Sequence, residues 1–275
     1  GTQSISSLIK WDHSESYFVK KYPQYYFPAT ASDMTFEFSL DDPDDAFLQD
    51  HVIDGNIIFP ATGYLMIAWR RLAAQKGLQW NQVPVSFENV KFKRSVQFQN
   101  GKVKLTVRYV EPTGDFVVLD GEHVAAVGKV FAHMESQLLQ LQHLIKDINT
   151  LDFQNENNYK LNREDFYKEL RIRGYDYGPN FQGVQESYFI DESKLIGKVR
   201  YTNNNNFITT LDSMMQLMIN AIPLRSLYIP ISIESFKCDP LIFNQAVNQH
   251  KIEIFKNREN NSSLIDDKEK EILKT

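Results

Sequence analysis

The chain of 275 residues contains one cysteine, no long hydrophobic run and no concentration of positive charge. The lone Cys238 excludes an internal disulfide and favours a reducing compartment. No apolar run approaches the roughly 18 residues of a membrane span, and the N-terminus lacks the basic-then-apolar pattern of a secretion signal. The sequence therefore predicts neither a membrane-spanning nor a secreted protein.

Two further absences concern partners and metals. The net charge is −5, and the lysines and arginines are scattered without the basic cluster or aromatic signature of an RNA-binding domain. The six histidines form no i, i+4 pair, and one cysteine cannot complete a usual zinc site. We expect no nucleic-acid partner and no metal. The hydrophobic fraction of 42% is enough for a substantial core.

Hydrophobic alternation predicts an antiparallel sheet in the first half of the chain. The segments 83–99, 103–110, 115–119 and 122–133 alternate or cluster Val, Phe, Leu and Tyr, and Asn100-Gly101 lies between two of them as a turn signal. Around 134–160 the pattern decays into Gln- and Asn-rich sequence that cannot bury much surface. We predict a first unit at 1–148 and a polar connector at 149–160.

The second half repeats this plan. A short amphipathic helix is predicted at 162–172 and an apolar helix from Leu211 to Ile222. The predicted strands are 183–190, 194–201, 227–238 and 250–256. Each half therefore combines a sheet with one long apolar helix, which predicts two similar subdomains. The second unit covers 161–256, and the charged segment 257–275 is expected to be a solvated tail or outgoing linker.

The segment HVIDGNIIFP at 51–60 places His51 shortly before an apolar helix. Gly55 allows a positive φ or close approach to a ligand, and Pro60 suits a helix start because its missing N–H costs nothing there. The first amides of that helix, at Ala61 and Thr62, can donate hydrogen bonds to an oxyanion near His51. On the helix, Arg70, Arg71, Gln75 and Lys76 are expected to face water. His51 is either a base beside this helix end or a surface histidine in a strand-to-helix loop.

The segment LDSMMQ at 211–216 puts Asp212 and Gln216 on one face of the second helix at i and i+4. Apolar neighbours favour the protonated form of a carboxyl group, which is the form that a general acid requires. The alternative is an aspartate in the first helical turn that faces solvent and is favoured by the macrodipole. Either interpretation is compatible with this segment.

The segment GYDYGPNF at 174–181 predicts a tight turn fixed by Gly178 and Pro179. Tyrosines beside such a turn are ordinarily core or rim aromatics. Alternatively, the turn delivers the hydroxyl of Tyr177 to a catalytic group.

Four motifs in order resemble the dehydratase domain of animal-type fatty acid synthases and, more distantly, of modular polyketide synthases. They are HVIDGNIIFP, matching HxxxGxxxxP, then GYDYGPNF, then LDSMMQ, matching DxxxQ, and SLYIPISI at 226–233. The resemblance covers nearly the whole chain and implies an α+β double hotdog, in which two antiparallel sheets each wrap one long helix. It also implies that His51 and Asp212 meet across a tunnel between the halves, within about 3 to 7 Å if both act on one pair of substrate carbons.

The resemblance implies dehydration of a 3-hydroxyacyl thioester to the trans-2-enoyl thioester. His51 is the base, Asp212 the acid, and Gln216, Tyr177, Gly55 and the amide of Ala61 support them. Expected tunnel residues are Phe59, Pro60, Tyr64, Gly178, Pro179, Phe181 and Met215, with Met214 and Met218, although most of these methionines are expected to be core. No cofactor is implied. The expected partners are acyl carrier protein, other domains of the same cytoplasmic synthase and a second copy in a homodimer.

Three alternatives stay open beside a fatty acid or polyketide dehydratase. A product-template domain uses a similar His and Asp pair for aldol cyclisation, but the words FPATGYL and GYDYGPNF argue against it. A noncatalytic double hotdog scaffold would not need His51 and Asp212. A hotdog thioesterase would not explain the pairing of Asp212 with Gln216.

Overall fold

The computed structural model describes residues 33–132, 159–191, 194–201, 207–220, 222, 225–244 and 270–274. The N-terminal segment with His13, most of the connector predicted at 149–160 and the strand predicted at 250–256 lie outside these residues. Within the described ranges, no helix combines the length and the apolar character needed to cross a membrane.

In the part of the chain that the structure describes, the first sheet contains six antiparallel strands curled round one helix. In chain order the strands are β1 (Asp33–Ser39), β4 (Val85–Phe92), β5 (Lys102–Val110), β6 (Asp115–Asp120), β7 (His123–Ala132) and β11 (Ser232–Cys238). Their order across the sheet is β1-β5-β6-β7-β4-β11. Buried and exposed residues alternate along β5, so one face meets the core. The four strands predicted between 83 and 133 are confirmed.

The helix inside this sheet is α1 (Ala61–Gln75), and it begins directly after Pro60, as expected. Before it, a small hairpin joins β2 (Val52–Ile53) to β3 (Asn56–Ile57). The two turn residues, Asp54 and Gly55, have φ values of 49° and 71°, which a two-residue hairpin turn requires.

Arg71 contradicts the expectation that it faces water, because only 2% of its surface is exposed. Its guanidinium lies 5.7 Å from the ring centroid of Tyr109, and Nη1 donates to Gln75 Oε1 at 2.9 Å. A cation can be buried in this way when an aromatic face and an amide oxygen replace part of its hydration.

The second sheet has the order β12-β10-β9-β8. Its strands are β8 (Tyr159–Asn162), β9 (Val184–Asp191), β10 (Lys194–Tyr201) and β12 (Lys270–Lys274). The prediction of a solvated tail at 257–275 is therefore wrong for 270–274. Those residues pair with β10 along its free edge and satisfy backbone groups that would otherwise face solvent.

Among the described residues, two helices accompany the second sheet. The first is α2 (Arg163–Ile172), whose N-cap Asn162 accepts a hydrogen bond from the amide of Asp165. The second is α3 (Ile208–Asn220), which packs on β9 and β10. It begins one turn earlier than the predicted Leu211, because the amide of Leu211 already donates to the carbonyl of Phe207 at 2.9 Å.

The two halves are joined at a strand pair and a helix pair. Strand β11, from the second half, pairs with β4 of the first half. Thr62 Oγ1 in α1 donates to the carbonyl oxygen of Ile208 in α3 at 3.1 Å, and both residues are buried. The first sheet therefore crosses the predicted division of the chain, and the domain limits themselves stay a prediction.

Candidate active site

His51 lies between a short 3-10 helix, η1 (Ala46–Asp50), and strand β2, and only 4% of its surface is exposed. Its Nδ1 is 2.7 Å from the carbonyl oxygen of Ile58. Because a carbonyl can only accept, Nδ1 carries the hydrogen. In the neutral ring, Nε2 therefore holds a free lone pair, which is the arrangement that a base requires. The burial of His51 contradicts the alternative of a surface histidine.

Asp212, in the first part of α3, faces this lone pair. Its Oδ1 is 3.7 Å from Nε2 of His51, and the two side chains are 8% and 5% exposed. This distance is too long for a hydrogen bond and falls within the expected 3 to 7 Å. The alternative of a solvent-facing aspartate is therefore wrong. The fold brings a base and a carboxyl from different halves to one buried place.

Gln216 holds the other oxygen of this carboxyl group. Its Nε2 donates to Asp212 Oδ2 at 2.8 Å and to the carbonyl oxygen of Phe181 at 2.9 Å. Its Oε1 accepts from Tyr167 Oη at 2.9 Å. The predicted pairing at i and i+4 is confirmed, and Tyr167 is a further member that the sequence pattern does not indicate.

Aromatic rings from the 174–181 segment form a wall beside His51. The ring centroids of Phe181 and Tyr177 lie 4.9 and 5.4 Å from that of His51. Burial raises the pKa of Tyr177 well above its usual value, so its hydroxyl keeps its proton. The wall limits access of water to the imidazole.

Asp50, the residue before His51, fastens this wall to the first half of the chain. Its carbonyl oxygen accepts from the amide of Gly178 at 2.8 Å. Its Oδ2 accepts from the main-chain N and the Nδ2 of Asn180 at 2.9 and 2.7 Å. The sequence patterns assign no role to Asp50 or to Asn180, and only their positions next to His51 and Pro179 could have indicated one.

The remaining predicted residues differ in their placement. Gly55 is exposed in the hairpin turn, where its positive φ is the property used, and Pro179 is exposed at the start of a short 3-10 helix, Pro179–Phe181. Phe59 and Tyr64 are buried and pack on each other in the core, with ring centroids 5.3 Å apart. Pro60 is buried at the start of α1, and Ala61 is partly exposed.

The helix methionines do not behave as a group. Met214 and Met215 are partly buried, whereas 70% of Met218 is exposed. Met218 is therefore not a core residue, since it lies two positions after Gln216 and so on the opposite side of α3. Among the described residues, no three His, Cys, Asp or Glu side chains come together in a way that could hold a metal ion.

The architecture defines an α+β double hotdog, with one helix inside each curled sheet and a His and Asp pair between the halves. Residues 28–119 match the family described as "Polyketide synthase dehydratase domain", and residues 154–253 match "Polyketide synthase dehydratase N-terminal domain". These two matches together span more than half of the chain. The chain belongs to the polyketide synthase dehydratase domain family.

Solved structures of such domains share the fold. The dehydratase domain from the CurF module of curacin polyketide synthase is 23% identical, with a TM-score of 0.58 over 74% of this chain and 77% of that one. A trans-AT polyketide synthase dehydratase domain from Brevibacillus brevis is 16% identical, with a TM-score of 0.56 over 75% and 76%. A variant of the PpsC dehydratase domain from Mycobacterium tuberculosis is 18% identical, with a TM-score of 0.55 over 75% and 77%.

Proposed function

We propose that this chain is a hydro-lyase domain of a multifunctional synthase and converts a 3-hydroxyacyl thioester, carried on acyl carrier protein, to the trans-2-enoyl thioester. The observation that carries this proposal is the buried pair formed by His51 Nε2 and Asp212 Oδ1, 3.7 Å apart. One atom of the pair holds a lone pair, and the other can hold a proton. Elimination of water needs one of each.

In the proposed reaction, Nε2 of His51 takes a proton from C2 of the substrate. The electron pair of that C–H bond forms the C2–C3 double bond, and the C3–O bond breaks. The departing hydroxyl receives the proton from Asp212 Oδ1 and leaves as water. The hydrogen bond from Nδ1 to the carbonyl of Ile58 keeps the neutral imidazole in the required tautomer until Nε2 takes the proton.

The oxygen of the thioester carbonyl becomes more negative as C2 loses its proton. The first turn of α1, beginning at Ala61, offers main-chain amides and the positive end of a helix dipole for this charge. A donor of this kind contributes about 3 kcal/mol in enzymes where one has been removed. We assign this role to the amides of Ala61 and Thr62. We also assign Tyr177 a supporting hydrogen bond beside Asp212.

Similar solved structures support the roles of the pair. The CurK dehydratase, 21% identical with a TM-score of 0.53, has been solved as two inactive mutants. One has an aspartate changed to asparagine and the other a histidine changed to phenylalanine. By analogy, we assign the same two residue types, His51 and Asp212, to the chemical step here.

Two substrate classes are compatible with this site. The motif words FPATGYL and GYDYGPNF resemble the animal-type fatty acid synthase, which favours a saturated, unbranched acyl chain. The family match favours a polyketide intermediate instead. Phe181 and Met215 are the proposed contacts for the acyl chain in either case. In this proposal the domain needs no cofactor. Its partners are the other domains of the synthase and a second copy of the chain, and its location is cytoplasmic.

The test is turnover of 3-hydroxybutyryl pantetheine thioester by the purified chain, followed by absorbance of the enoyl product. We expect activity in the wild type and in His123→Ala, a control that removes an exposed histidine on β7. His51→Ala should lose activity by a factor of about 10² to 10⁴. Equal rates for His51→Ala and wild type would refute the base. If the wild type neither dehydrates this thioester nor hydrates the corresponding enoyl thioester, the noncatalytic double hotdog scaffold is favoured.

A further inference from the structure

A chain of buried hydrogen bonds lies behind the acid. The main-chain amide of Val184, in β9, donates to Tyr167 Oη at 2.9 Å, and this hydroxyl donates to Gln216 Oε1 at 2.9 Å. Gln216 Nε2 in turn donates to Asp212 Oδ2 at 2.8 Å. All four residues are at least nine-tenths buried. The acid is therefore connected to a strand of the second sheet through Tyr167.

The direction of each bond is fixed by the groups at its ends. The amide of Val184 can only donate, so Tyr167 Oη accepts from it and has its own hydrogen left for Gln216 Oε1. Burial raises the pKa of Tyr167, so the phenol keeps that hydrogen. The neighbouring Ser213 gives its hydroxyl hydrogen to the carbonyl of Thr209 at 2.8 Å, so it does not compete as a donor.

Two contacts then prevent the side-chain amide of Gln216 from turning over. The carbonyl oxygen of Phe181 requires an N–H at 2.9 Å, and the hydroxyl of Tyr167 requires an oxygen. After a flip of the amide, an oxygen would face the Phe181 carbonyl and an NH₂ group would face the hydroxyl hydrogen. Nε2 therefore always faces Asp212 Oδ2.

We propose that Tyr167 is a positioning residue which, through Gln216, keeps the acidic proton of Asp212 on Oδ1. Since Oδ2 accepts from Gln216, the proton of the neutral carboxyl group belongs on the other oxygen, which faces His51 at 3.7 Å. In the proposed reaction, that oxygen is the one that protonates the departing hydroxyl group. The inference rests on the proposed dehydratase function, because only an acid needs its proton on a particular oxygen.

The kinetic test compares Tyr167→Phe with Tyr201→Phe in the full chain. The control also removes a hydroxyl from a buried tyrosine of the second half, but its partner is Asn244 at 3.3 Å. With 3-hydroxybutyryl pantetheine thioester, we expect kcat of Tyr167→Phe to fall about tenfold with KM within about twofold, and Tyr201→Phe to match wild type. Unchanged kcat in Tyr167→Phe, or a change in KM alone, would overturn the inference.

A double-mutant cycle separates positioning from general destabilisation. If Tyr167 acts through Gln216, adding Tyr167→Phe to Gln216→Ala changes kcat no further. If the two fold-changes multiply, Tyr167 acts independently of Gln216 and the inference is wrong.

The side-chain ¹⁵N amide signal of Gln216, assigned by its loss in Gln216→Ala, provides a readout that needs no turnover. Both Nε2 hydrogens are bonded in the wild type, so slow solvent exchange is expected, with faster exchange in Tyr167→Phe and no change in Tyr201→Phe. If wild type is inactive on every thioester but this exchange still changes, the proposed function fails while Tyr167 still orients Gln216. Unchanged exchange in Tyr167→Phe overturns the inference whatever the activity.

Discussion

The main-chain amide of Gly178 donates to the carbonyl oxygen of Asp50 at 2.8 Å, and the side chain of Asp50 occupies the space where a side chain of residue 178 would begin. A Cβ added to Gly178 would lie 2.3 to 2.8 Å from the Asp50 carboxyl and Cβ atoms. The glycine is therefore required by close approach between the two halves. Because Asp50 precedes His51, this contact also sets the position of the base.

Gly178→Ala should consequently impair both folding and turnover. We expect a loss of about 1 to 3 kcal/mol in the free energy of unfolding, because backbone or side-chain atoms must shift to admit the methyl group. The shift moves His51 relative to Asp212, so kcat/KM should fall more than the fraction of folded protein does. Gly121→Ala is the control. Its φ of 60° strains an alanine, but an added Cβ would meet open space there, and the turn is a different one. Similar loss of kcat/KM in both variants would contradict this prediction.

Asp212→Asn should abolish the acid without disturbing its surroundings. An asparagine oxygen can still accept from Gln216 Nε2 at the position of Oδ2, whereas the amide has no acidic proton to transfer. We expect kcat to fall by a factor of about 10² to 10⁴ and the thermal midpoint to change little. The measurements are single-turnover formation of the enoyl product and thermal unfolding. Wild-type turnover in this variant would show that the proton comes from another group.

Thr62→Val should weaken the connection between the two central helices. The substitution keeps the shape of the side chain but removes the donor to the carbonyl of Ile208, which is then left buried with one partner fewer. The expected cost is about 1 to 2 kcal/mol in urea unfolding. Thr35→Val, which removes an exposed bond to Thr106 at 3.0 Å, should cost less than about 0.5 kcal/mol. Equal costs would mean that the helix contact contributes nothing beyond an exposed bond.

Glu186 should make stability depend on pH in the acid range. Burial raises the pKa of its carboxyl group, but the ion pairs with Lys160 and Lys198 lower it by more than that. The net result is a pKa of about 2 instead of 4.5. A carboxyl group whose pKa is lower in the folded state stabilises the fold above about pH 4.5, and this contribution is lost as pH falls towards 2. The lysines are partly exposed, so solvent screening reduces the gain to about 1 kcal/mol.

The measurement is urea unfolding of wild type and Glu186→Gln at several pH values. The difference in the free energy of unfolding should be largest near pH 6 and should shrink progressively below pH 4.5. A difference that is constant across this range would show that the ion pairs do not stabilise the folded chain.

Local patterns were sufficient for most elements of the fold. Alternating residues gave the strands of the first sheet within a few positions, because the side-chain period of a strand is a local property. The chemistry of each motif was also visible, since Asp212 and Gln216 share a helical face by spacing alone. Strand β12 was missed, because its charged sequence indicates a solvated segment and only its partner β10 makes it a strand.

The sequence by itself determined two sheet-plus-helix units and the residue types that carry the proposed chemistry. Only the tertiary structure decided the 3.7 Å approach of His51 to Asp212, the tautomer imposed by the Ile58 carbonyl, and the chain from Val184 through Tyr167 to the acid. The physical reason is that helix and strand periods follow from neighbouring residues. A hydrogen bond between distant residues exists only where packing brings a particular donor and acceptor together in a buried place.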